Sequence, residues 1–209
     1  MNIGILGSGN VGGTLGSRWA LAGHQVVFGT RDADTPEMRR LTAKAGATAR
    51  AAALSEAARQ DVLLLATPWA ATRQVLESLG GLSGKVLIDA TNPLRPAMDG
   101  LEVGTTTSGA EQVARWAAGA TVVKAFNTVG FNIMADPGFE GGQPVLFVCG
   151  DDDVAKQTAI QLAADLGFEG VNAGPLTQAR LLEPMALLWI SLALSYGLGR
   201  DIAFRLLRR

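Results

Sequence analysis

The 209-residue sequence holds one cysteine, Cys149, one histidine, His24, and one tyrosine, Tyr196. A single thiol excludes an intramolecular disulfide, a CxxC redox pair and a zinc site built on cysteines. A single histidine removes histidine-rich metal sites and argues against a Ser-His-Asp hydrolase, so no metal-ligand set is read here. Charge of either sign is in short supply as well: the formal net charge is −1, which gives no basic excess to recruit nucleic acid. The closing "RLLRR" is too short to change that and reads as a frayed, solvated tail. The most apolar late run, "ALLWISLALSYGLG", is broken by serines and falls short of the roughly 20 residues a membrane helix needs. The chain opens directly on a strand-like segment with no charged and then apolar leader, so no secretory signal is read. With 48% hydrophobic and 18% charged residues, a folded, soluble, cytoplasmic protein is expected, large enough for a sizeable core.

What is present is an alternation of short apolar runs with helical stretches. Strands are predicted at Asn2–Leu6, Gln25–Gly29, Val62–Thr67, Lys85–Ala90, Thr121–Ala125 and Pro144–Cys149, with a weaker one at Phe168–Asn172. Their Val, Ile and Leu content, with little in–out alternation, suits parallel strands covered on both faces. Helical spacing occupies Val11–Ala22, Pro36–Ala45, Ala53–Arg59, Ala70–Leu79, Gly109–Ala118 and Asp152–Leu166. The pattern predicts an α/β fold: a Rossmann-type, doubly wound, mostly parallel sheet. The alternation stops near residue 175, where Leu181, Met185, Leu188, Trp189, Leu192 and Tyr196 follow helical spacing. Residues 1–174 therefore read as a dinucleotide-binding unit and 175–209 as a short helical extension, packed on the sheet or on a partner subunit. No linker separates the two, so a single domain is expected.

Gly7-Ser8-Gly9-Asn10-Val11-Gly12 fits GxGxxG between a strand and an amphipathic helix, the context a dinucleotide fingerprint requires. Gly7 allows the tight turn, Gly9 the approach of a pyrophosphate, and Gly12 the close packing of helix on strand. The N–H groups at the helix start then face the phosphates. Where an NAD site carries an acid at the end of the second strand, this chain has Thr30-Arg31, a hydroxyl and a guanidinium suited to a 2′-phosphate. NADP is therefore favoured over NAD. Asp32 either starts the next turn or pairs with Arg31. Arg39 and Arg40 read as solvated surface.

Ligands in such sheets bind beyond the carboxyl ends of the strands. Ala66, Thr67 and Pro68 lie there, as do Thr91, Asn92 and Pro93, and "KAFNTVG" with Asn127. Acid–base groups are scarce at this edge. Tyr196 has no lysine at the spacing of a YxxxK pair, Lys124 sits within a strand, and His24 begins the second strand on the opposite side. Reduction of a carbonyl normally needs a proton donor beside the hydride, whereas transfer between two bound rings needs proximity and orientation. No catalytic side chain is assigned.

The stretches "GSGNVGGTLGSRWALAGHQVVFGTRD", "ATPWAAT", "VVKAFNT" and "CGDDDVAKQTAIQLAADLGFEGVNAGPLTQARLLEP" resemble the F420H2:NADP oxidoreductases, or NADPH-dependent F420 reductases, to which the cytoplasmic domains of STEAP metalloreductases are related. The resemblance runs to about Pro184. It implies hydride transfer between NADPH and a deazaflavin (coenzyme F420) or a flavin such as FMN or FAD, its ring against the nicotinamide. It also implies contacts from Ser8, Gly9, Asn10 and Val11 to the pyrophosphate and from Thr30 and Arg31 to the 2′-phosphate. Thr67 and Pro68 would line the nicotinamide region, Asn127 the acceptor ring, and the extension would contribute to a homodimer. "KAFNT" lies closer to the metalloreductase-like branch, and "DATNPL" departs from the pattern of a strict F420 enzyme. Asp151–Asp153 read as a helix cap. Two alternatives stand beside this reading: a small imine or keto reductase, and a non-catalytic NADPH-binding sensor.

Overall fold

The computed structural model describes residues 1–209. Eight strands form one sheet: β1 (Asn2–Leu6), β2 (Gln25–Thr30), β3 (Ala49–Ala53), β4 (Val62–Leu65), β5 (Val86–Asp89), β6 (Thr121–Lys124), β7 (Val145–Gly150) and β8 (Glu169–Gly174). The helices are α1 (Asn10–Leu21), α2 (Pro36–Ala45), α3 (Leu54–Ala57), α4 (Trp69–Leu79), α5 (Gly109–Trp116), α6 (Phe131–Ala135), α7 (Asp153–Ala164) and α8 (Ala179–Ile190). The strand order is β3-β2-β1-β4-β5-β6-β7-β8, and every pairing is parallel except β6 with β7. The order reverses between β1 and β4, where a doubly wound sheet opens a crevice beyond its strand ends.

The central strands are apolar on both faces because helices cover both faces. Ile3, Ile5, Leu64, Ile88 and Val123 enter one core with α1 and α7, and Leu63, Leu65, Leu87 and Val122 enter the other with α4 and α5. Two elements escape the sequence pattern. Edge strand β3 reads "ARAAA", with no β-branched or aromatic residue, and pairs with β2 while its Arg50 reaches Glu56. Helix α6 is only five residues long, too short for periodicity to register.

Residues 200–204, ahead of the closing "RLLRR", are held by long-range bonds. The Trp189 indole N–H donates to Ile202 O (2.8 Å) and Val145 N–H to Phe204 O (2.9 Å). Asn132 donates to Arg200 O, and Arg208 reaches Glu169. Ile202, Ala203 and Phe204 are half-buried by these contacts, while residues 194–201 before them and most of "RLLRR" after them are exposed. The apolar stripe of α8 also divides differently from its spacing. Leu182, Ala186 and Trp189 face inward, and the exposed face carries Leu181 and Leu188, 66% and 51% exposed, and beyond the helix Tyr196.

Candidate active site

The glycine loop joins β1 to α1 and supplies a cradle. Gly7 has φ +109°, and a Cβ there would sit 2.7 Å from Ala66 O. A Cβ on Gly12 would lie 1.9 Å from Gly7 O, so only glycine lets the helix start this close to the strand. At Gly9 nothing lies within 4 Å of that position, leaving open space on the ligand side. No side chain caps α1, and its first turn holds no acid. Its first N–H groups therefore keep their capacity for an anion, reinforced by the positive end of the helix dipole. These features fit the pyrophosphate of a dinucleotide.

Two depressions meet at this loop and share Gly7, Ser8 and Thr67. One, of about 560 Å³, runs over β2 between Thr30, Arg31 and Leu54 on one side and Gln74 and Ser78 of α4 on the other. The other, of about 720 Å³, opens beyond β4 and β5, lined by Ser8 to Val11, Ala66 to Ala70, Ala90 to Asn92, Leu94, Pro96 and Glu102. The groove thus spans from the expected 2′-phosphate position to the expected nicotinamide position. Asp32 takes the turn role: its backbone N–H donates to Thr30 Oγ1, and its carboxylate accepts from Asp34 N–H (2.9 Å). Arg31 is exposed and makes no ion pair within the chain.

Three residues predicted for the site lie one layer back. Gly12 serves the packing of α1. Pro93 turns inward onto Gly109. Asn127, only 6% exposed, stands behind Asn92. Its Nδ2 donates to Asn92 Oδ1 (3.1 Å) and Leu182 O (3.0 Å), while Asn92 Nδ2 donates to Asn127 O (2.9 Å). The buried Asn127 Oδ1 has no partner. The turn that delivers it passes through Phe126 at φ +63°, whose ring packs edge-on against Trp19.

Sequence reasoning passed over three lining or supporting groups. Trp69 starts α4 at the cleft and packs on Trp116 at 5.4 Å. Glu102 is the one titratable side chain in the wider depression, exposed on its loop. Beneath the floor lies an ion cluster in which Lys124, Asp89 and Glu183 are all 0% exposed. Lys124 Nζ donates to Asp89 (2.9 Å), to Glu183 (3.1 Å) and to the carbonyl of Thr91 (2.5 Å). Asp89 also accepts from the N–H and hydroxyl of Thr91, and Glu183 from the N–H groups of Gly109 and Ala110. Burial works against the ammonium, yet the two carboxylates outweigh it and raise the Lys124 pKa. The signal was legible: a lysine inside "VVKAF" cannot be buried without partners.

The acidic run resolves into separate roles. Asp152 caps α7 by accepting from Ala155 N–H (2.8 Å), and Asp151 holds Leu176 N–H (2.9 Å). That second bond ties "CGDDD" to "NAGPL" and so starts the segment leading to α8. Burial pushes the Cys149 thiol up to about 12, which makes it inert.

A family model for coenzyme F420-dependent NADP oxidoreductases matches residues 2–93. An F420-dependent NADP reductase from Methanothermobacter thermautotrophicus is 31% identical, over 92% of this chain and 89% of the relative. Metalloreductase STEAP3 from Rattus norvegicus is also 31% identical, over 88% of this chain, which spans only 36% of that protein's length. A crystal structure from Arthrobacter sp. FB24, named for an F420-dependent NADP reductase, superposes with a TM-score of 0.88 at 32% identity, covering 99% of both chains. With the glycine cradle, the Thr30–Arg31 groove and the open cleft in place, this chain belongs to the F420-dependent NADP oxidoreductase family of enzymes.

Proposed function

We propose that this protein transfers a hydride between NADPH and a deazaflavin (coenzyme F420) or flavin acceptor that lies against the nicotinamide. The observation that carries the reading is the groove itself, continuous from Thr30 and Arg31 to Thr91 and Asn92 and widening at its nicotinamide end. Gly7 to Val11 would hold the pyrophosphate with backbone N–H groups, while Thr30 and Arg31 would hold the 2′-phosphate by charge-assisted hydrogen bonds. Ala66, Thr67, Pro68, Thr91 and Asn92 would shape the ribose and nicotinamide region, and Asn127 would support Asn92 from behind. Hydride addition to such a ring leaves the charge spread over its N1 and C2 carbonyl, where a proton from solvent completes the reduction, so these residues supply orientation and need no acid of their own. Reduction of an imine or ketone would need a proton donor, and the cleft offers only Glu102, on an exposed loop.

Residues 1–174 and 175–209 act in this reading as one folded unit, placed in the cytoplasm. The outward apolar face of α8, with Leu181 and Leu188, would pair with a second copy as a homodimer. Sedimentation of the wild type against Leu188→Glu tests that, and a wild-type monomer at micromolar concentration rejects it. Anaerobic mixing with NADPH and coenzyme F420, FMN or FAD, followed by absorbance, tests the activity. Oxidation of NADPH is expected with at least one acceptor. Tight NADPH binding with no turnover on any of them would overturn the proposal in favour of a sensor.

A further inference from the structure

The Lys124 cluster sits where its charge bears on the cofactor. We infer that Asp89 biases the site toward the oxidised, cationic nicotinamide, so that NADP⁺ is held more tightly relative to NADPH than an uncharged floor would hold it. The inference rests on the nicotinamide lying over the ends of β4 and β5.

All contacts made by Asp89 and Glu183 come from donors, as expected of two carboxylates. One ammonium against two carboxylates leaves one uncompensated negative charge in a region of 0% exposure. The start of α5 meets Glu183 through Gly109 N–H and Ala110 N–H, and the positive end of that helix offsets part of its charge. Asp89 has no such helix. It is bonded to both the N–H and the hydroxyl of Thr91, and Thr91 lines the cleft. The ring of NADP⁺ carries a positive charge that the ring of NADPH lacks, so a fixed anion below the floor distinguishes the two forms. This bias favours release of hydride from NADPH, and it assigns Asp89 a tuning role exerted through the Thr91 wall.

The test compares dissociation constants for NADP⁺ and NADPH, by NADPH fluorescence titration and NADP⁺ competition, across three proteins. Asp89→Asn removes one charge and should weaken NADP⁺ relative to NADPH by about four- to twenty-fold, for one charge roughly 10 Å away at an effective dielectric of about 20–40. Glu183→Gln removes the same unit of charge from the side of the cluster held by the start of α5, and should change the ratio less than Asp89→Asn does. A ratio unchanged in Asp89→Asn overturns the inference. So does a parallel loss of both affinities, which marks a purely structural role, or a shift in Glu183→Gln as large as that in Asp89→Asn, which removes the special position of Asp89. If the wild type binds neither form, the cofactor site itself has been misread, a result separate from the others.

Discussion

Lys124→Met is the perturbation with the largest expected effect on the fold. In the wild type the ammonium is the only cation between two carboxylates of 0% exposure, and it fills all three of its donor positions. Removing one partner from a buried ion pair typically costs about 3–5 kcal/mol, because the remaining charge stays buried without compensation. Here two carboxylates would be left facing the same void. The folded variant would relieve this by holding a proton on one of them, which raises that group's folded pKa above its unfolded value. The folded state then binds more protons than the unfolded state near neutral pH, so the variant's stability should rise as pH falls from 7 toward 5. The wild type should show no such gain. The raised pKa of Lys124 contributes stability that is complete below the ordinary lysine value of 10.5 and is lost only as pH rises through the still higher folded value. Urea denaturation at pH 7 and pH 5 measures both effects. A loss below about 1 kcal/mol, with a flat pH dependence, would refute the view that the cluster anchors the site floor.

Arg31→Ala should lower the preference for NADPH over NADH by about ten-fold or more, the usual worth of a charge-assisted bond to phosphate, and an unchanged preference would remove Arg31 from the 2′-phosphate site. Glu111 offers a check on acid stability. Its hydrogen bond with Arg180 (2.6 Å) outweighs burial and holds its carboxyl below the usual value of 4.5. That stability is present above pH 4.5 and lost as pH falls through the lowered value, so Glu111→Gln should flatten the acid limb of a stability–pH profile; an identical limb would show that the pair contributes nothing.

Why some of this was readable and some was not follows from the physics of each element. Parallel central strands must be apolar on both faces, so "NIGIL", "VLLL" and "VLID" announce themselves, as does the glycine cradle, where no other residue fits. Edge strand β3 is stabilised by its ladder with β2 and not by its side chains, so its alanines carry no strand signal. The docking of the tail depends on single long-range bonds, such as Val145 N–H to Phe204 O, that leave no periodicity. The stripe of α8 was legible only as helical for a related reason: spacing groups residues on a face but does not say which of them meet the sheet. Glu183, one residue beyond Leu182, marks the inward face only once Lys124 is known to need it.

Phe126 shows how the backbone aims the site. A non-glycine residue at φ +63° costs about 1–2 kcal/mol, and the fold retains it because the ring is buried against Trp19 and because the next residue is thereby turned toward Asn92 and Leu182. Both truncations of the ring should be destabilising by about 3–5 kcal/mol, through the cavity left beside Trp19. Their order carries the argument. At an ordinary position alanine is more stable than glycine by about 0.4–1 kcal/mol, because it restricts the unfolded chain. In a left-handed conformation alanine keeps the strain that glycine relieves, so Phe126→Gly should equal or exceed Phe126→Ala in stability, by up to about 1 kcal/mol. Paired chemical denaturation of the two variants decides it. If Phe126→Ala proves the more stable by the ordinary margin, the left-handed turn carries no strain, and the placement of Asn127 must come from its hydrogen bonds to Asn92 and Leu182 alone.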